Sequence, residues 1–417
     1  MPGRSVVTGL EFFREVREEN LYYVDKTSII KDLVEAKSSK VFLFTRPRRF
    51  GKTLAMTMLK EFFDIEHKDG RALFEGLAVS KDKELCREWM NQHPVLFLSL
   101  KDIKASFATY SESYERFCSL VSRLCLAHSC LLESSRVPEP TKKVLDGLVN
   151  CTAGLADEAN ALLTLCTALH QHWGKKAVVL VDEYDAPMAC VQHGEEYDKL
   201  DAFLSAVLGT AFNANESLEF ALMTGCLSSA NRSVYTGLDH VTCCGIDQDR
   251  FGDKFGFTPD EVQVLLAEQG LSHKAEVIRA WYSGYCFGQD QQIYCPWDIV
   301  KYAADLEINP AAKPQAYWSK TSGNGIIRKC ICQKEWPIEQ ALSVLVQGGS
   351  IEAALAGSMT YDNLDSSESM MWTHLYRTGY LTKLPDSWQD RGTGLTRLRI
   401  PNKEIRMFFA SSIEQQH

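Results

Sequence analysis

Four side chains in this sequence could act together on a polyphosphate: Lys52, Thr53, Asp182 and Glu183. Lys52 and Thr53 close the octet RPRRFGKT, residues 46–53, which meets the phosphate-loop pattern GxxxxGK[ST] at every required position but the first. In such a loop, backbone N–H groups and the positive end of the following helix wrap the phosphates. Gly51 lets the backbone come close, Lys52 would set its ammonium on the terminal phosphates, and the Thr53 hydroxyl would join the coordination of Mg²⁺. The exception is Arg46. Where the first glycine normally supplies an unusual torsion, Arg46 and the rigid Pro47 must reach a similar path another way. Alone, the octet would also fit an ordinary strand-to-helix turn.

The second constellation is an apolar run, AVVLV (177–181), that ends directly in Asp182 and Glu183. A buried parallel strand ending in two acids puts the first carboxylate at the carboxyl edge of a sheet, where open α/β folds bind ligands. Asp182 would hold Mg²⁺, directly or through water, and Glu183 would orient and deprotonate the attacking water. A strand that ends in Asp-Glu is common; one paired with a phosphate loop about 130 residues earlier is not. Thr224, near the end of SLEFALMTG (217–225), is a third candidate, placed to sense the terminal phosphate and position water. It is equally readable as an ordinary Thr-Gly strand exit.

These residues need a sheet to hold them. Val41–Thr45 reads as a strand buried on both faces, and Leu54, Met58, Leu59, Phe62 and Phe63 recur at helical spacing behind the loop. HPVLFLSL (93–100), AVVLV, SLEFALMTG and VTCCGI (241–246) supply four more strands, with helical patterns over 112–173, broken at SSRVPEP (134–140), and over 198–212. This is a parallel sheet with helices on both faces. Upstream, Tyr22–Val24 reads as a short strand, Thr27 or Ser28 as a helix cap, and Asp25 and Lys26 either as part of a docking segment or as part of the pocket.

Beyond Phe257 the period changes. Thr258-Pro259-Asp260-Glu261 opens a helix, and further helices carry Val262, Leu265, Leu266, Val277, Ile278 and Trp281. IYCPWDIVKYA reads as a short strand entering another helix; residues 336–383 read as amphipathic helices leading to two strands, TGYLTKL and LTRLRIPN. The expected organisation is a core with its N-terminal docking segment over 1–256, a helical lid over 257–330 and a helical, winged-helix-like module over 331–417.

Composition narrows the class. The chain has 417 residues, 45% of them hydrophobic, enough for two or three domains with a substantial core. No apolar run approaches a membrane span and no signal core follows the N-terminus, so no membrane is expected and the reading is an intracellular, cytoplasmic protein. Fourteen cysteines are scattered without a CxxC pair, which suits reduced thiols; Cys330-x-Cys332 and Cys243-Cys244 lack a second ligand pair at zinc spacing. The net charge of −9 argues against a wholly basic nucleic-acid coat and decides little else.

With these segments in hand, the chain closely resembles the AAA-ATPase-like family of phosphate-loop proteins over almost its whole length. The resemblance is carried by YVDKT (23–27), FLFTRPRRFGKT, VDEYDAP (181–187), MTG, TGLDH (236–240), FGFTPDEV (255–262), WYSGYCFG (281–288), YCPWDIV, YWSKTSGN (317–324), GYLT and IPNKEI (400–405). RPRRFGK is the usual loop of that family. The resemblance implies Gly51, Lys52 and Thr53 on phosphates and Mg²⁺, Asp182 on Mg²⁺ and Glu183 as base; the full expectation is ATP binding along Arg46, Pro47, Arg48, Arg49, Phe50, Gly51, Lys52, Thr53 and Leu54, Mg²⁺ on Thr53 and Asp182, and catalysis by Glu183, Lys52 and Thr224. Arg48 and Arg49 become candidates for phosphate contact or for a charge reaching across the subunit interface of a homo-oligomer. Asp239, His240 and Ser283 depart from the family's pattern. Family members often continue into a nuclease-like domain resembling PD-(D/E)xK enzymes; the sequence stops after IPNKEI, so nuclease activity is expected to lie elsewhere. The leading expectation is a Mg²⁺-dependent ATPase whose nucleotide state moves the lid. The alternative is a nucleotide-dependent switch that turns over slowly or not at all and binds a protein or nucleic-acid partner. A DExD-type helicase, which Asp182–Asp185 would suggest, lacks matching elements in the second half.

Overall fold

Each of the five apolar runs becomes a strand of one sheet: β1 (Val41–Thr45), β2 (Val95–Ser99), β3 (Ala177–Asp182), β4 (Leu218–Gly225) and β5 (Val241–Cys244), in the order β2-β3-β4-β1-β5. The computed structural model describes residues 4–36, 39–103, 109–191, 194–227, 238, 241–288, 291–319, 338–357, 367–384 and 394–414. Pairing is parallel between β2 and β3, β3 and β4, and β4 and β1. Every residue of β1 and of β3 is buried, as runs without polar alternation require when helices cover both faces of the sheet. The chain divides into two compact units, residues 27–45 with 55–243, and residues 1–26 and 46–54 with 244–417.

In the sheet unit the crossovers are helices, among them Tyr110–Ala127, Glu139–Val149, Ala161–Trp173 and Glu195–Phe212. Tyr110–Ala127 begins with a full capping box, Thr109 taking the Glu112 N–H while Glu112 reaches back to the Thr109 N–H. The break expected at SSRVPEP is real: Pro138 is the N-cap of Glu139–Val149, and Pro140 lies in its first turn.

In the second unit Thr258 and Glu261 form another capping box on the helix Pro259–Glu268. Ala275–Tyr282 follows, then the antiparallel pair β6 (Tyr285–Phe287) and β7 (Gln291–Ile293), and then the helix Pro296–Ile308. One core gathers Leu265, Ile278, Tyr282, Ile299 and Tyr302. A second gathers Phe50, Trp318, Tyr376 and Phe409, with the helices Ile338–Val346, Glu368–Arg377 and Lys403–Glu414 contributing to it.

Three local expectations are corrected. Tyr22–Val24 forms no strand: the Tyr22 N–H donates to the Ser5 carbonyl and no ladder continues. Thr27 is the N-cap of Ser28–Val34 without capping through its side chain, because its hydroxyl accepts the Val79 N–H at 3.1 Å. The stretch read as helices over 336–383 contains a strand, β8 (Ile351–Ala354), beside β10 (Leu395–Arg399), which also pairs antiparallel with β9 (Thr382–Lys383). Gly348, at φ +92°, stops the preceding helix before β8 starts. Asp239, His240, Cys330 and Cys332 lie outside the described residues, as does YWSKTSGN beyond Ser319. None of the described cysteines is in a disulfide, and no described helix is long and apolar enough to cross a membrane.

Candidate functional site

The candidate residues fall into two groups, Arg46–Leu54 in one unit and Asp182, Glu183 and Thr224 in the other. The loop begins where β1 ends at Thr45 and closes at the first residue of the helix Lys52–Phe63. Its left-handed torsions fall at Arg49 (φ +69°) and Gly51 (φ +84°), so the turn that a first glycine would make is moved inside the loop. A left-handed arginine is unfavourable by about 1–2 kcal/mol. Contacts hold it there: the Cys295 thiol donates to the Arg49 carbonyl at 3.7 Å, and the Arg49 guanidinium lies 4.3 Å from the centre of the Trp297 ring.

Arg46 is fully buried. Its Nη1 donates to the Cys244 carbonyl at 2.7 Å and its Nη2 to the Phe251 carbonyl at 2.9 Å, with the Phe255 and Phe287 rings 5.3 and 5.4 Å from the guanidinium carbon. Burial lowers its pKa to about 10, which leaves it charged at neutral pH. The residue that breaks the general pattern is thus tied to two carbonyls of its own unit. Lys52, also buried, donates its ammonium to the carbonyls of Arg46 (3.1 Å) and Pro47 (3.2 Å). Pro47 and Phe50 are buried, Arg48 and Arg49 are exposed, and Thr53 and Leu54 are half-buried. The Arg48 carbonyl accepts the Trp318 indole N–H at 2.9 Å, and the Phe50 carbonyl accepts the Gly256 N–H at 3.1 Å.

In the sheet unit, register brings the acid group together. Asp182 ends β3 opposite Ser99 of β2, and Val181 lies opposite Met223, one residue before Thr224. The Thr224 hydroxyl donates to Asp182 Oδ1 at 2.6 Å and accepts the Glu183 N–H at 3.4 Å; both Asp182 and Thr224 are wholly buried. One side chain thus positions the first acid and the backbone of the second. Glu183 is half-buried at φ +49°, a left-handed conformation that a glutamate rarely adopts and that clusters at functional sites.

Three residues beside this group were not singled out from the sequence. Asp185 is buried, and its Oδ2 accepts the N–H groups of Cys226 and Leu227, both at 2.9 Å. The Tyr184 hydroxyl donates to the Leu227 carbonyl at 2.5 Å. A β-carbon on Gly225 would stand 2.4 Å from the Tyr184 ring and 2.8 Å from Asp185 Oδ1, so only glycine fits there. These contacts tie the turn after β3 to the turn after β4. The visible signal was the last acid of DEYD together with the glycine of MTG.

Among the described residues, no cluster of three His, Cys, Asp or Glu side chains could hold a metal by itself. Asp182 supplies hard carboxylate oxygen, the kind of donor that Mg²⁺ takes in small number when phosphates complete its shell. Over 408 residues, 97% of this chain and 69% of the relative, the sequence is 24% identical to an "Uncharacterized protein in vnfD 5'region" of Azotobacter chroococcum mcd 1. A family model described as "Predicted AAA-ATPase" matches residues 7–235, more than half of the chain, and takes in the loop and the acid group alike. The chain therefore belongs to the predicted AAA-ATPase family.

Proposed function

We propose that this protein is a Mg²⁺-dependent ATPase. The observation that carries the reading is the Thr224–Asp182 hydrogen bond at the ends of adjacent parallel strands, with Glu183 held next to it in a left-handed turn. An acid fixed in that way at the carboxyl edge of a parallel sheet suits work on a bound ligand better than an acid left to solvent. Thr53 and Asp182 would hold Mg²⁺, which when bound would offset charge on the phosphates.

The remaining steps belong to side chains of the chain. Lys52 would exchange the Arg46 and Pro47 carbonyls for phosphate oxygens, since an ammonium has three donors and no fixed fork. Gly51 and its neighbours would offer backbone N–H groups at the start of the helix Lys52–Phe63. Glu183 would orient a water and accept its proton, with Thr224 fixing the backbone from which the carboxylate projects. Arg48 and Arg49, both exposed, would contribute positive charge to the phosphates or to a neighbouring subunit. Movement of the helical segment 257–330 with nucleotide state is part of the same proposal.

Lys52→Ala tests the pocket. Titration with ATP and Mg²⁺ should show binding in the wild type and none in the variant, given an equal melting temperature for the two proteins; undiminished affinity in Lys52→Ala would remove the loop from the account.

A further inference from the structure

Residues of three motifs of the second half, YCPWDIV, Tyr317–Ser319 and IPNKEI, meet on a buried cluster that the proposed chemistry leaves unused. Asp298 lies in the first turn of Pro296–Ile308 and Glu404 in the first turn of Lys403–Glu414; they are 1% and 0% exposed. The two carboxyl groups are near enough to act on each other's ionisation. Were both ionised, Asp298 Oδ1 and Glu404 Oε2 would each be a buried acceptor with no donor among the described residues. Two acceptors cannot satisfy one another, whereas a single proton between them satisfies both. Burial favours retaining that proton, and for Asp298 the neighbouring Glu404 adds to the effect.

The pair is wired to the loop on two sides. Glu404 Oε1 accepts the Ser319 N–H at 2.9 Å, and the adjoining Trp318, itself buried, donates its indole N–H to the Arg48 carbonyl at 2.9 Å. Cys295, the N-cap residue of the helix that carries Asp298, donates its thiol to the Arg49 carbonyl. Two consecutive loop carbonyls are therefore held by residues that bracket the acid pair. The other titratable groups facing the pair are Tyr282, Tyr285 and Tyr317. The ammonium of Lys403, next to Glu404 in sequence, lies 4.5 Å from the centre of the Trp281 ring.

We propose that the Asp298–Glu404 pair, sharing one proton, is the positioning device of the loop: it clamps Trp318–Ser319 and Cys295, and through them the carbonyls of Arg48 and Arg49. Loss of the shared proton leaves two carboxylates facing each other in a dry interior, and their repulsion releases the clamp. The effect on nucleotide affinity rests on the reading of residues 46–53 as a phosphate loop; the effect on loop order does not.

The test is amide hydrogen exchange of the peptide covering residues 46–53, corrected for the intrinsic pH dependence, in the full-length wild type and in Asp298→Asn, from about pH 6 to about pH 10. The asparagine amide donates permanently to Glu404 and has no proton to lose. The wild-type loop should lose about tenfold of its protection as pH rises, the scale of one buried hydrogen bond, while Asp298→Asn stays level. Glu404→Gln carries the same expectation from the other side of the pair, and so covers the case in which Asp298→Asn does not fold. Trp318→Phe, which keeps a ring and loses the indole donor, should show the low protection at every pH. Wild-type protection that is level with pH, or that falls equally in the amide variants, overturns the clamp. ATP affinity measured on the same samples should follow the protection; protection that behaves as expected in a protein that binds no ATP keeps the clamp and rejects the nucleotide reading instead.

Discussion

Replacing Thr224 by valine keeps the volume of a wholly buried side chain and removes one hydroxyl. That hydroxyl donates to Asp182 Oδ1 at 2.6 Å and accepts from the Glu183 N–H at 3.4 Å, so the change strikes the link between the two acids and little else. A hydrogen bond to an ionised group contributes about 1.5–3 kcal/mol net, and the 3.4 Å bond adds little to it. Equilibrium unfolding in urea should therefore show Thr224→Val less stable by about 1.5–3 kcal/mol with an unchanged denaturant slope. Thr224→Ser keeps the donor, loses a buried methyl and should cost about 1 kcal/mol. In an Asp182→Ala background the valine substitution should lose most of its effect, because the two sites are directly coupled. Thr224→Val within about 0.5 kcal/mol of the wild type would mean that the Thr224 hydroxyl does not hold Asp182, since changes of that size are ordinary for surface positions.

Glu183→Gly should remove turnover without loss of stability, or with a gain of about 1 kcal/mol, because it relieves the left-handed torsion at φ +49°; thermal unfolding beside phosphate release checks both halves. His67 Nδ1 lies 3.1 Å from Glu61 Oε2, and that hydrogen bond raises the histidine pKa above its ordinary value of 6.5. The stabilisation from this pair is complete below pH 6.5 and is lost as pH rises through the raised folded value. An NMR titration of the His67 ring should give a midpoint above 6.5 that falls in Glu61→Gln; an unmoved midpoint would break the assignment.

The sheet was legible because its strands are mostly apolar without polar alternation, and five-residue runs such as Val41–Thr45 have few other ways to be buried. The capping box at Thr258 and Glu261 was equally legible, being a local pattern with a local consequence. Asp182 and Thr224 were readable as candidates, but their pairing depends on β3 and β4 being neighbours, which no single segment encodes. The fate of Arg46 was not readable at all: its partners are carbonyls about 200 residues away, and a carbonyl has no sequence signature. Asp185 and Gly225 were hidden for the same reason, since each explains the other only once two turns meet. Thr27 misled because a threonine before a helix usually caps it, and a distant N–H had a stronger claim. β8 was missed because four residues inside an amphipathic stretch carry too little period to be told from helix.

Phosphate release with ATP and Mg²⁺ from the wild type beside Glu183→Gln, with bound nucleotide assayed in the same samples, separates an ATPase from a nucleotide-binding switch. Turnover in the wild type that falls by about 10²–10⁴ in the variant while nucleotide stays bound is the result expected of a general base. Equal turnover in the two proteins would contradict the role of Glu183, and bound nucleotide without turnover in the wild type would contradict the ATPase reading and mark a nucleotide-dependent switch.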